Sequence, residues 1–440
     1  MYKKLYLYTF VAALGGLLFG FDTAVISGTI PFIKKYFNLT DVTEGWAVSS
    51  ALFGCIVGSI AVGKPGDIYG RRAMLKVAAL LYLISAIGSG MAVGLVEFVI
   101  YRIIGGLGVG AASVLSPMYI SEISPPQIRG RLVATAQLAI VSGILLAFFS
   151  NYLLVDIGEN NWRWMFWAEA VPAAAFLILL FKVERSPRWL AKVGQLERAR
   201  DVISLVCHAD NVEQTLSEIK LSIQNEANAI NINIFKKPYL RLVLIGIAVG
   251  MFNQFTGINV IMYYAPTIFE SAGFDSNSSL MQTVMVGAVN LTFTILAMMV
   301  IDKFGRKSLL ISGAGGMTLF LSVLMVLYAK DLFPGYLLLF CTLGFVACFA
   351  ASQGVVVWVL LSEMFPNIIR SRAMSMGSFS LWVFCTVTTF LFPVARERLG
   401  TEYIFGFYAV STLISIIFFS IYLVETKGKS LEQLEKEILK

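Results

Sequence analysis

The chain is poor in the groups that carry chemistry. Among 440 residues there is one histidine, His208, and only 14% are charged. The five cysteines, Cys55, Cys207, Cys341, Cys348 and Cys385, are scattered, without metal-site spacing or a disulfide framework. No nucleophile with a partnering base, metal-ligand cluster or phosphate-cradling loop can be assembled from the remainder, which argues against an enzyme and against any bound metal or cofactor. The net charge of +7 is dispersed over short segments. It lacks the clustered, aromatic-interleaved patches of a nucleic-acid surface.

Apolar residues fill the space these groups leave. They make up 58% of the chain, and the mean hydropathy is +0.78, far above what the core of a soluble domain requires. Runs of about 20 apolar residues, enough helix to cross roughly 30 Å of hydrocarbon, recur near residues 5–30, 46–64, 74–96, 98–120, 132–155, 163–183, 239–264, 279–301, 308–329, 335–361, 373–395 and 402–424. Because the first run is followed by others like it, it reads as a membrane helix, not a cleaved leader. The expectation is an all-α membrane protein with twelve transmembrane helices. Lys3, Lys4, Arg71, Arg72, Arg129, Arg131, Lys303, Arg306, Lys307, Arg370, Arg372 and the lysine-rich tail fall on one side if the helices alternate. The excess of Lys and Arg on cytoplasmic loops then places both termini in the cytoplasm, and the protein in the cell's inner (plasma) membrane.

One long polar stretch, residues 184–237, divides the runs six and six. The expected domains are therefore an N-terminal bundle (1–183), linker helices (184–237), a C-terminal bundle (238–424) and a tail (425–440). Within the linker, Val212, Leu216, Ile219 and Ile223 recur at helical spacing with Glu213, Glu218 and Lys220 between them. That pattern predicts amphipathic helices packed beneath the membrane halves. His208 lies in the same stretch and reads as a solvated loop residue.

The halves also repeat each other. GDIYGRR (66–72) follows the second run and IDKFGRK (301–307) the eighth; SEISPPQIRGR (121–131) follows the fourth and SEMFPNIIRSR (362–372) the tenth. Two motifs duplicated in order and topology indicate an internal repeat. Repeated membrane halves are characteristic of transporters, with the substrate held near the midplane.

With RIIGGLGVG (102–110), PMYISEISPPQIRGRL (117–132), ERSPRWL (184–190), QFTGINVIMYYAPTIF (254–269) and VETKGKSLE (424–432) added, the chain resembles the sugar porter family of the major facilitator superfamily over essentially its full length. The closest likeness is to bacterial proton-coupled symporters of the xylose and galactose type. The resemblance implies two six-helix bundles, a cytoplasmic helical insert, and alternating access around one central monosaccharide site in a protein working as a monomer. It also implies a cytoplasmic gate in which Asp67, Glu122, Asp302 and Glu363 meet Arg71, Arg72, Arg129, Arg306 and Arg370. Bidentate Arg–carboxylate pairs can tie one bundle to another on that face; permanent structural bracing, or mere topology signals, is the alternative reading.

A sugar needs amides that both donate and accept, and an aromatic face against its C–H bonds. Gln137, Asn253, Gln254, Asn259 and Asn290 are amides inside predicted spans, and Trp358 and Trp382 are indoles there. By resemblance, Gln137, Gln254, Asn259, Asn290 and Trp358 match the family's sugar-contacting positions, with Phe19 and Tyr263 as aromatic neighbours. Gly257 is expected to kink the seventh span and Gly354 to flex the tenth, which lacks a proline before Trp358. Amides between membrane helices also serve as plain interhelical hydrogen bonds, and Trp382 could simply pack. Three positions depart from the family pattern: Asn253 stands where a Gln is usual, Leu381 where an amide is common, and Ile144 where some symporters have a second Gln.

Asp22 lies in the middle of the first apolar run. An acid at mid-membrane costs about 2.5–3.5 kcal/mol on insertion scales, so such residues pair, face a cavity or carry protons. Arg102 in the fourth run and Glu169 in the sixth are available partners. In the symporter branch the matched positions form a proton-coupling group, which implies symport of sugar with protons. An Arg102 that snorkels to the interface is the alternative. The rival functions are an uncoupled sugar facilitator, and a transporter-like sensor, which the short tail disfavours.

Overall fold

In a computed structural model the described residues are 3–125, 128–207, 212–227, 233–237, 239–333, 336–366 and 369–427. His208 lies outside them. In chain order the helices are α1 (Lys3–Tyr36), α2 (Asp41–Ala61), α3 (Gly63–Tyr69), α4 (Arg71–Met91), α5 (Leu95–Ile123), α6 (Arg129–Leu154), α7 (Asn161–Leu179), α8 (Pro187–Lys192), α9 (Leu196–Val206) and α10 (Val212–Ala227), then α11 (Tyr239–Gln254), α12 (Ile258–Ser271), α13 (Ser276–Phe304), α14 (Arg306–Ala329), α15 (Leu337–Ala350), α16 (Gln353–Glu363), α17 (Arg370–Leu399) and α18 (Thr401–Tyr422). Among the described residues there is no strand. Among the described residues, eleven spans, counting α11 with α12 and α15 with α16, are long and apolar enough to cross a membrane. The helix at the remaining expected position, α7, has Arg163 and Glu169 within its 19 residues, which lower its hydropathy.

The chain forms two compact units: Met1–Ile26 with Ser50–Ile230, and Ser27–Ser49 with Asn231–Lys440. The far end of α1 and the start of α2 therefore belong with the second unit. Within each unit the duplication is visible in the packing. In the first, α4 lies against α5 and α7; in the second, α14 lies against α15 and α18. Hydrocarbon gives helices no hydrophobic reason to associate, so close backbone approach through small residues substitutes for it. Gly54 and Gly58 on α2 face Gly106 and Gly110 on α5, and a Cβ at any of them would strike backbone of the other helix. In the linker, Val212 and Leu216 are buried, and α10 packs on α8 and α9.

Two spans are broken. Gly257 (φ +82°) occupies the left-handed region between α11 and α12, where a Cβ would also collide with Tyr408. This is the expected kink. The expected flexing point at Gly354 is not the second break. That break falls at Ala351–Ser352, with Ser352 at φ −131° and ψ −94°, and Gly354 lies inside α16. The Ser352 hydroxyl donates to the Cys348 carbonyl at 2.6 Å, which supplies the freed carbonyl of the interrupted ladder with a donor.

The duplicated glycine turns share one backbone. Gly70 (φ +89°, ψ 152°) precedes α4 and Gly305 (φ +88°, ψ 159°) precedes α14, a conformation essentially confined to glycine. Each turn is covered by the segment that follows the last span of its half. Trp189 lies over Gly70 and donates through Nε1 to the Asp67 carbonyl at 3.1 Å. Glu425 lies over Gly305 and accepts from the backbone N–H groups of Arg306 (2.9 Å) and Lys307 (3.0 Å) at the start of α14.

Burial alone pushes the Glu425 carboxyl up, but the backbone N–H groups of Lys427, Arg306, Lys307 and Thr426 outweigh it and hold it below the ordinary glutamate range. A depressed pKa means stability that is present above the unfolded value of about 4.3 and lost as pH falls through the folded one. Glu425→Gln is expected to lower the thermal midpoint of the purified protein at pH 7. The gap to wild type should close below about pH 4; a gap unchanged down to pH 3 would rule the carboxylate out as its cause.

Candidate functional site

Three of the residues singled out in the sequence meet inside the first unit. Asp22 on α1 and Arg102 on α5 are each 1% exposed, and Glu169 on α7 is 0% exposed. Arg102 Nη1 donates to Asp22 Oδ1 at 2.6 Å, and Nη2 donates to the Asp22 backbone carbonyl at 3.2 Å. Asp22 and Glu169 lie within interaction distance of each other, and Arg102 within reach of both. Arg102 gives no hydrogen bond to Glu169 among the described residues, and its Nε has no acceptor there. One guanidinium thus stands between two carboxylates and is bonded to one.

Arg102 is buried on Asp22 and does not snorkel. Its guanidinium lies 5.6 Å from the Phe166 ring, and Phe98, Trp162 and Phe166 form an edge-to-face cluster with centroids 5.4–6.4 Å apart. Gly105, one turn along α5, leaves the space the acid needs. A Cβ there would collide with the Ser85 hydroxyl and press on Asp22 Oδ1. Tyr82 on α4 is fully buried near both acids and donates to the Gly15 carbonyl at 3.4 Å. Asn151 on α6 donates to the Val25 carbonyl at 3.0 Å, holding α1 just past Asp22.

The amides and indoles fall in both units. In the first, Phe19 on α1 and Gln137 on α6 are half-buried. In the second, Asn253 and Gln254 end α11 and Asn259 lies in the first turn of α12, so the Gly257 break brings them together. Asn259 Nδ2 donates to Gln254 Oε1. Gln254 Nε2 donates to Asn253 Oδ1 at 2.8 Å, and Asn253 Nδ2 donates to Gln353 Oε1 at 3.4 Å. Tyr263, Asn290 and Trp382 are buried, whereas Trp358 is 41% exposed, with Gly354 one turn before it on α16. Leu381 is buried and Ile144 is 9% exposed, so both departures from the family pattern present apolar side chains.

The expected gate residues form two matching clusters, each inside one unit. Arg71 pairs with Asp67 at 2.7 Å and with Glu122 at 3.0 Å. Arg306 pairs with Asp302 at 2.9 Å and with Glu363 at 3.0 Å. A strap hydroxyl stands at each: Ser186 lies beside Glu122, and Thr426 donates to Glu363 at 2.6 Å. Arg72 donates to the Leu180 and Phe181 carbonyls at 3.0 and 2.9 Å, and Arg129 to the Ser124 carbonyl at 3.3 Å. The Arg370 side chain lies outside the described residues.

One cluster escaped the sequence reading. Glu44, 1% exposed on α2, binds Lys34 at 2.6 Å and has Arg396 of α17 at 3.7 Å, all within the second unit. An acid near a span end is unremarkable in sequence, and nothing there connects position 44 with position 396.

The family model described as Sugar (and other) transporter matches residues 8–438. The chain belongs to the sugar transporter family. This sugar porter is 40% identical to the D-xylose-proton symporter of Escherichia coli, over 99% of its own length and 96% of that protein's. It is 38% identical to the arabinose-proton symporter of Bacillus subtilis, with 97% and 93% covered. Its structure superimposes on the inward open conformation of the Escherichia coli xylose transporter with a TM-score of 0.88 at 39% identity, covering 98% and 99% of the two chains. It is a multi-pass membrane transporter of the major facilitator fold, not an enzyme.

Removing one partner of a buried ion pair costs about 3–5 kcal/mol, because the other charge stays buried alone. Arg102→Met should lower the thermal midpoint of the detergent-purified sugar porter, and Arg102→Met with Asp22→Asn should recover most of the loss. A double variant no more stable than Arg102→Met would count against the pair as the source.

Proposed function

We propose that this sugar porter is a proton-coupled symporter that imports a monosaccharide, a pentose or a hexose, by alternating access. It works as a monomer in the cytoplasmic membrane with both termini inside, an orientation that the distribution of Lys and Arg supports. The observation that carries the reading is the Asp22–Arg102 pair at 2.6 Å with Glu169 buried beside it. A facilitator needs a sugar site but no acid at mid-membrane, whose burial is costly. An exchangeable proton explains that acid. The relatives named as proton symporters of xylose and arabinose support the same conclusion.

The chemistry follows from charge balance. Arg102 can neutralise one of the two carboxylates at a time. While it binds Asp22, the acid is an ion held in place. When Arg102 turns to Glu169, Asp22 is left in hydrocarbon without a counter-charge and takes a proton, and the neutral site lets the transporter reorient with its sugar. Each proton entering contributes about 2.3 kcal/mol per 100 mV of membrane potential, besides any pH gradient.

The resemblance to sugar porters assigns sugar binding to Phe19 and Gln137 of the first unit and to Asn253, Gln254, Asn259, Tyr263, Asn290, Gly354, Trp358 and Trp382 of the second, amides suiting hydroxyls and the half-exposed Trp358 a C–H face. The clusters around Arg71 and Arg306 form the cytoplasmic gate, each assembled within its own half.

Asp22→Asn removes the titrating oxygen and keeps the shape. In proteoliposomes loaded with a panel of labelled pentoses and hexoses, it should abolish accumulation driven by an inward proton gradient while sugar counterflow continues. Accumulation that survives in the variant would overturn the coupling role. A wild type indifferent to the gradient would identify an uncoupled facilitator.

A further inference from the structure

The amides of the second unit form a chain with a direction. Asn259 donates to Gln254, Gln254 to Asn253 and Asn253 to Gln353, so each side-chain oxygen along the way accepts from the amide before it. Asn253 Nδ2 also lies 3.5 Å from the Gln353 backbone carbonyl. The chain ends at Gln353 Nε2. Gln353 is 0% exposed, and its Nε2 has no acceptor among the described residues. A buried amide N–H2 without an acceptor is costly, and this one is also a strengthened donor, because an amide that accepts at its oxygen is polarised toward donating at its nitrogen.

Its place in the fold points to the missing acceptor. Gln353 is the first residue of α16, directly after the Ser352 break, beside Gly354 and five residues before the half-exposed Trp358. Asn253 is one methylene shorter than Gln, and it is bonded onward to Gln353. Leu381 offers no polar atom. The donor that the set therefore presents at this end is Gln353 Nε2.

We propose that Gln353 is a sugar-binding, specificity-determining residue whose Nε2 donates to one hydroxyl or ring oxygen of the substrate. The sequence reading did not select it, and the inference rests on the sugar site set out under Proposed function. Through the amide chain, Gln353 also fixes the orientation of Asn253 and Gln254, so occupation of one end favours a single set of amide orientations along its length. A sugar lacking the acceptor leaves a buried donor unpaired, the circumstance in which hydrogen-bonding sites discriminate most strongly.

The test measures binding of D-xylose, L-arabinose, D-glucose and the monodeoxy analogues of whichever binds tightest to the full-length, detergent-purified protein. Gln353→Met keeps the side chain's length without its donor. Gln353→Asn keeps an amide but withdraws it by one methylene, so the question stays answerable if either variant folds poorly. Gln254→Ala serves as the control for the site itself. The expected result is a loss of about tenfold for the parent sugar, equivalent to about 1.4 kcal/mol, with one monodeoxy analogue bound equally by variant and wild type because the two deletions remove the same bond. If Gln254→Ala weakens binding while both Gln353 variants bind every sugar within about twofold of wild type, or lose all analogues to the same extent, Gln353 is structural and the proposal falls with the sugar site intact. If Gln254→Ala binds as wild type, or the wild type binds none of the three sugars, the site reading fails and the proposal with it.

Discussion

An arginine paired with an aspartate inside hydrocarbon governs much of what surrounds it. Neither charge could be tolerated there alone, so α1 and α5 are bound to each other at Asp22 and Arg102. The Phe166 ring lies 5.6 Å from the guanidinium and packs edge-to-face with Phe98 and Trp162. Gly105 and Ser85 leave the carboxylate its space. Glu169 is buried near the same pair, so one cation faces two acids while bonded to one of them, and the proposed coupling rests on that imbalance.

The two units use different devices. Charge is held on α1, α5 and α7, helices that run through without interruption, and a buried ion pair needs that rigidity because its energy falls steeply with misplacement. Amides are held where helices break, at the end of α11, the start of α12 and the start of α16. Broken helices offer adaptable ends, and neutral amides tolerate the movement. A hydrogen-bonded chain across two breaks links their positions without fixing either in place.

Much of this was legible in the sequence, for identifiable reasons. The spans follow from apolar runs of membrane length, and the Gly257 break from a glycine set between amides. The Ser352 break was not legible, because serine carries no signal as strong as glycine or proline and its hydroxyl does the work of rescuing a carbonyl. Arg102 was ambiguous between pairing and snorkelling, since only the packing of α5 against α1, which buries it on Asp22, decides it. Trp358 and Trp382 are the same residue type in adjacent spans, yet one is half-exposed and the other buried. That difference depends on helix rotation, which span-level reading does not resolve. The cluster at Glu44 was invisible because, beyond the nearby Lys34, it is completed by Arg396, more than 300 residues away and outside any local pattern.

The straps over the glycine turns alter the view of what was duplicated. Ser186 lies beside the acid paired with Arg71, and Thr426 donates to the acid paired with Arg306. Trp189 and Glu425 cover the corresponding glycines. The residues after the sixth span thus stand to the first half as the residues after the twelfth stand to the second. The unit that repeats is therefore six helices together with a trailing clasp, and the beginning of the central linker serves the first half as residues 425–427 serve the second.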